Sequence, residues 1–298
     1  MERNKTGTLN IYKDYLRETA KNILMGSAAI QKWRQKRPRS GGYYTGKAEE
    51  LERYAFSSLN FLEKHVGGVR GKSICEIGAG DFLTSGLAML AAGASRYAVI
   101  DRYPGNYTGE IAKNWYRGIE ASWAQNYPET PWADYLKAED FPENYADRLE
   151  LIKSPIEIAR TDSRFDIVCS FQVGEHISGI NAFCEMNKRL MAESNGVALH
   201  RVDYGPHDSW HSYKDPLTFL RFPDRVWKLT GSNRGAPNRF RHHEFLAAFD
   251  RAGLSVEIVS SDDFKEETID FSRLHPRFQA MPRESILLGT AIYLLRLK

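Results

Sequence analysis

A chain of 298 residues, 42% of them hydrophobic, can bury one large core, and its length admits one or two domains. A formal net charge of only +3 argues against a chain built to coat nucleic acid, and three cysteines, odd in number and without CxxC spacing, fit a reducing compartment. The first residues form no apolar leader, and no run reaches the ~18 apolar residues of a spanning helix, so a soluble, cytoplasmic protein with no membrane partner is expected.

Residues 8 to 36 and 47 to 66 repeat apolar side chains at helical spacing, as in Leu51, Tyr54, Ala55, Leu59 and Leu62, with a break at 37–42. Residues 1–70 are therefore predicted to form an N-terminal helical extension lying against, and over, a ligand pocket in the domain that follows. Seven basic residues (Lys21, Lys32, Arg34, Lys36, Arg37, Arg39, Lys47) occur there without an acid between them. A solvated helix face and loop is the favoured reading, and no RNA-binding motif accompanies the patch.

Ser73 to Ile77 reads as a short buried strand that breaks into Gly78-Ala79-Gly80-Asp81 and reopens as a helix from about Phe82 to Ala92. With twenty residues between it and Gly80, Asp101 ends a second apolar run, Tyr97 to Ile100. Such a turn brings bare backbone amides beside a ligand, and an acid at the tip of the next strand is placed to grip a ribose. The chain thus reads as a nucleoside binder. Leu83 stands where a dinucleotide fingerprint has its third glycine, and Glu76 and Asp81 flank the turn. Like charges about 4 Å apart cost about 4 kcal/mol at an effective dielectric near 20, so two carboxylates suit a cation better than a pyrophosphate.

Glu76-Ile77-Gly78-Ala79-Gly80 resembles the first motif of the class I methyltransferases, which use S-adenosylmethionine, a sulfonium and ammonium cation. The resemblance implies a Rossmann-like α/β fold over residues 71–298, a mostly parallel seven-stranded sheet with an antiparallel last strand. It also implies a cofactor site at Glu76, Gly78, Ala79, Gly80 and Asp81, with Asp101 binding both ribose hydroxyls and Arg102 beside it.

Farther along, a helix is predicted from about Gly109 to Ala124, with Trp115, Trp123 and Trp132 as core residues. A third strand near Leu149 to Ile152 leads to Pro155 and Ile156, where the family contacts adenine; the commoner acid is missing there, which favours backbone contact. Strand four, Phe165 to Ser170, runs into Phe171-Gln172-Val173-Gly174-Glu175-His176, similar to the family's motif after that strand and assigning Gln172 and His176 to the cofactor. A helix over 180–192 and strand five, Gly196 to Val202, follow. From 203 to 241 the chain is punctuated by proline and glycine at the carboxyl end of a central strand, which reads as a substrate lid. Helix 242–252, strand Leu254 to Val259 and a last strand Ser285 to Leu295 complete the sheet.

Methyl transfer to a hydroxyl needs position and a base, and histidine titrates near neutrality. His176, His200, His207 and His211 cluster between strand four and the lid. His200 or His207 is expected to take the acceptor proton, with Asp203 orienting it, and His211, Asn233, Arg234 and Arg239 are expected to bind the acceptor. The arginines suit an anionic acceptor. His200, Asp203, His207 and Asp208 could surround a cation, but their spacing matches no standard zinc pattern and no metal is assigned. The stretch from Leu199 to Asp208, with Asp215 to Leu220 and Thr230 to Arg239, resembles a bacterial subgroup of class I methyltransferases found in polysaccharide and natural-product gene clusters. That resemblance implies a small biosynthetic intermediate as substrate, and the crowding of candidate bases favours O-methylation of a hydroxyl or carboxyl group; a nitrogen acceptor, an RNA acceptor, a non-catalytic nucleoside-binding role and a homodimer stay open.

Overall fold

A computed structural model of the protein describes residues 5–35, 44–233, 235 and 237–298, with the backbone alone at Arg34 and Gln35. Lys36, Arg37, Arg39, the expected break at 37–42 and Arg234 lie outside the described residues. In chain order the principal elements are α1 (Thr8–Met25), α2 (Ala28–Gln35), α3 (Ala48–Leu51), a π-helical turn (Glu52–Phe56), α4 (Ser57–Val66), β1 (Ser73–Ile77), α5 (Thr84–Ala91), β2 (Arg96–Asp101) and α6 (Glu110–Asn126). Then come β3 (Leu149–Lys153), β4 (Ile167–Phe171), α7 (Ile180–Leu190), β5 (Val197–Asp203), α8 (Asp224–Lys228), α9 (His242–Arg251), β6 (Leu254–Asp263), α10 (Pro276–Gln279), α11 (Arg283–Leu287) and β7 (Leu288–Leu297).

The seven strands form one sheet in the order β3-β2-β1-β4-β5-β7-β6, parallel except for β7, which runs antiparallel to both neighbours. Continuous apolar runs such as Tyr97 to Ile100 and Ile167 to Cys169 are what a sheet buried on both faces requires. On one face α4, α5 and α6 enclose a core with Trp115 and Trp123 at its centre; on the other α7 and α9 cover Cys75, Ile77, Ile100 and Val168. Cys75, Cys169 and Cys184 are buried free thiols whose pKa is raised by burial, so they serve as core atoms. The last strand begins at Leu288 rather than Ser285, because Pro282 opens the helical turn α11 and the buried Ser285 hydroxyl accepts a hydrogen bond from the His243 amide.

The N-terminal extension divides into two parts with different tasks. α3, the π turn and α4 pack Leu51, Phe56, Leu59 and Leu62 into the same core as β1. α1 instead docks on the irregular segment after β5, with polar side chains inward: the Tyr213 hydroxyl donates to Asp14 at 2.8 Å, Ser209 donates to Glu18, and Asn22 bonds Leu229, Ser232 and Asn233. Leu9, Tyr12, Leu16 and Ile23 are left exposed. Among the described residues none of this extension lines the cavity beside the turn after β1, and α1 packs on the outside of the segment after β5.

The segment between β5 and α9 has a core of its own. Trp210, Tyr213, Phe219, Phe222 and Trp227 pack with Leu274, Phe278 and Ile286 from the segment between β6 and β7, a partner that sequence periodicity did not reveal.

Candidate active site

Chain connections leave β1 and β4 in opposite directions along the sheet, and the loops beyond their carboxyl ends diverge into a crevice. A cavity of about 490 Å³ opens there. Gly78, Gly80, Asp101, Arg102, Pro155, Ile156, Gln172 and His176, all expected at the cofactor, line it, and His207 does too.

The turn after β1 has the form its glycines permit. Gly78 and Gly80 take φ of 77° and 78°, and a Cβ on Gly78 would lie 2.6 Å from a methyl of Val173. The Gly80 amide donates to Asp101 Oδ2 at 2.9 Å and the Tyr103 amide to Oδ1 at 2.6 Å, so the carboxylate is held at the cavity wall by the two loops it joins. Gln172 and Asp208, also lining the cavity, have φ of 60° and 52°, a conformation costing about 1–3 kcal/mol that concentrates at functional sites.

Glu76 does not join this wall. The β pleat turns its side chain to the α5 face, where the Tyr97 hydroxyl donates to it at 2.6 Å, and burial pushes its carboxyl up to about 7. Asp81 is buried with its backbone against Gly105, and Ala79 is likewise absent from the lining. The two acids flanking the turn thus do not face the cavity as a pair.

Opposite the turn, Glu175 and His176 follow β4 while His207 follows β5. A carboxylate oxygen and one ring nitrogen from each histidine lie within 4.8 Å of one another. Burial, then the Asp203 charge, raises the Glu175 carboxyl; burial and the neighbouring His207 lower His176 to about 4, and burial lowers His207. Both rings are therefore neutral at neutral pH. His207 Nε2 stands 3.7 Å from Asp203 Oδ2, the pair expected from the sequence.

His200 is not available as a base. It is fully buried in the sheet, Nδ1 paired with the Ser170 hydroxyl and Nε2 with Asn187 Oδ1, each at 2.8 Å. Because Asn187 donates its amide to the Phe183 carbonyl, its oxygen accepts from Nε2–H, and Nδ1 accepts from Ser170. Burial lowers the His200 pKa to about 3. The unfolded chain protonates near 6.5, so this residue contributes stability that is present above pH 6.5 and lost on acidification toward 3. Equilibrium unfolding of a His200→Asn variant is expected to show a slope of stability against pH shallower by up to about 1.4 kcal/mol per unit in that window; identical slopes would contradict the assignment.

Two expected acceptor ligands make structural contacts instead, and a third lies away from the cavity. Arg239 is buried, donating to the Phe219 and Phe222 carbonyls and to Asp224 between the rings of Trp227 and Phe278. Asn233 binds Asn22 of α1. His211 faces a separate hollow with Asp262 and Thr290.

A second hollow of about 620 Å³ adjoins the first, sharing Arg102, His176, Gly235 and Pro237 and reaching Lys228 and Arg277. The fold is the Rossmann-like one of class I methyltransferases. No family model matches the chain, and no curated protein matches it. Among solved structures it is similar to the Burkholderia thailandensis 1,6-didemethyltoxoflavin-N1-methyltransferase with its substrate and S-adenosylhomocysteine bound, at 15% identity and a TM-score of 0.43 over 83% of this chain and 79% of that one. It is also similar to an S-adenosylmethionine-dependent methyltransferase from Mesorhizobium loti, at 12% identity and a TM-score of 0.40 over 76% and 92%. The strand order, rather than these distant likenesses, carries the assignment of fold.

Sequence reasoning gave no role to Tyr103, Ser154, Glu157 or Val173, which line the cavity, nor to Glu175. Each lies within three residues of a motif position, and that adjacency was the one available signal.

Proposed function

We propose that the protein transfers a methyl group from S-adenosylmethionine to a small molecule, with oxygen the favoured acceptor. The observation that carries this reading is that Asp101 and the Gly78–Gly80 turn line one cavity at the switch point of the sheet. In this reading Asp101 takes the ribose hydroxyls, the glycine turn receives the methionine moiety, and adenine rests near Pro155 and Ile156. The acceptor enters through the adjoining hollow, whose lining mixes Arg102, Lys228 and Arg277 with Glu157 and Asp224; Arg277 is paired with Asp224 and Glu244, which leaves Arg102 and Lys228 to meet an anionic group such as a carboxylate or phosphate.

Methyl transfer forms the acceptor O–C bond as the C–S bond breaks, and the electron pair goes to sulfur to leave S-adenosylhomocysteine. The acceptor proton is lost in the corner of Glu175, His176 and His207. Of the two histidines expected to act there, His207, with Asp203 behind it, is the one beside the cavity. Calorimetric titration is expected to show micromolar binding of S-adenosylhomocysteine and no response to NAD. A folded protein that binds neither would end the reading.

A further inference from the structure

We propose that Glu175, His176 and His207 form a binding site for one divalent transition-metal ion, Zn²⁺ foremost, on the wall of the cavity. Its use in catalysis rests on the methyl-transfer reading above; the site itself rests on three local observations.

The first is convergence of donors. Two imidazoles and one carboxylate place ligand atoms within 4.8 Å of one another. Around a tetrahedral ion with bonds near 2.0–2.1 Å, such atoms lie about 3.4 Å apart, so side-chain rotations of about an ångström close the site. Two histidines and a glutamate are a borderline donor set that suits Zn²⁺ and its neighbours rather than Mg²⁺.

The second is that each of the three residues keeps one buried polar atom without a partner. Glu175 Oε1, His176 Nδ1 and His207 Nδ1 are all buried without a hydrogen bond, half of the six such side-chain atoms among the described residues. Glu175 is only 3% exposed. Buried polar atoms are nearly always paired, and three unpaired ones of ligand type in one corner point to an ion that pairs them.

The third is support behind the ligands. Asp203 Oδ2 lies 3.7 Å from His207 Nε2, the far side of the ring from Nδ1, and is itself held by the Gly205 amide on Oδ1. A carboxylate behind a histidine is the usual means of orienting a metal ligand. The turn carrying Glu175 and His176 is pinned by Asn238, whose backbone amide donates to the Glu175 carbonyl and whose side chain donates to those of Gly174 and Ile177. Three protein ligands leave a position for the acceptor oxygen. An ion held there would lower the pKa of a bound hydroxyl, with His207 as a ligand in place of the free base named above.

The chelator-treated full chain, titrated with Zn²⁺ alone, is expected to bind one ion, and Co²⁺ in its place to give visible ligand-field absorption. His176→Ala and His207→Ala should each weaken Zn²⁺ binding by more than about 100-fold, and Asp203→Asn by about 10–100-fold. His211→Ala should leave it unchanged, with thermal melting confirming that every variant is folded. Failure of the folded wild type to bind Zn²⁺, or unchanged affinity in both ligand variants, would overturn the site. Binding of S-adenosylhomocysteine without Zn²⁺ would remove the metal and leave the cofactor reading standing; Zn²⁺ binding without S-adenosylhomocysteine would keep the metal and remove its role in methyl transfer.

Discussion

Asp101→Ala is expected to weaken S-adenosylhomocysteine binding by about 10²–10⁴-fold. Two hydrogen bonds from ribose hydroxyls to a carboxylate are worth about 1.5–3 kcal/mol each, and every 1.4 kcal/mol is a factor of ten. The carboxylate also accepts the Gly80 and Tyr103 amides, so its removal loosens the turn that receives the methionine moiety. Both effects act on the same ligand. Titration calorimetry on the variant, with circular dichroism as the check of folding, measures the sum. Affinity within about threefold of the wild type would mean that the ligand lies elsewhere and that Asp101 only ties two loops together.

Arg239→Met is expected to lower stability by about 2–5 kcal/mol while the acceptor KM of the folded fraction changes little. The guanidinium satisfies two buried carbonyls, Phe219 at 3.3 Å and Phe222 at 2.6 Å, and its loss strands them at about 1–3 kcal/mol each. Asp224 keeps Arg277 at 2.8 Å and is half exposed, so the orphaned-carboxylate penalty stays small. Methionine retains much of the apolar stem between Trp227 and Phe278. Thermal melting should fall by about 5–15 °C, given about 2–4 °C per kcal/mol for chains of this size. An unchanged melting temperature together with a raised KM would restore Arg239 to the acceptor site.

These two residues mark how much of the site could be read in advance. The place of Asp101 at the cavity wall was legible because it depends on local features: the end of an apolar run and a fixed spacing from a glycine turn. Arg239 was misread because a loop arginine among glycines and prolines looks solvent-facing. Its burial depends on Phe278, which a separate segment brings across it. His200 failed similarly. Ser170 and Asn187, which seal both ring nitrogens, come from a neighbouring strand and a covering helix. The helices and strands themselves were placed within a few residues over most of the sheet, because burial on both faces makes the central strands β2 and β4 largely apolar.

By itself the sequence determined the alternation of strands and helices, the glycine turn with its distant acid, and the crowding of histidines near the end of β5. Local propensity and hydrophobic period act within a few residues, so those features survive in a one-dimensional reading. Only the tertiary structure decided which histidines meet the cavity, that Glu175 Oε1 stands without a partner beside two of them, and that α1 grips the segment after β5 through Asp14, Glu18 and Asn22. Burial and hydrogen-bond pairing depend on which side chains packing brings together, often across many residues of sequence.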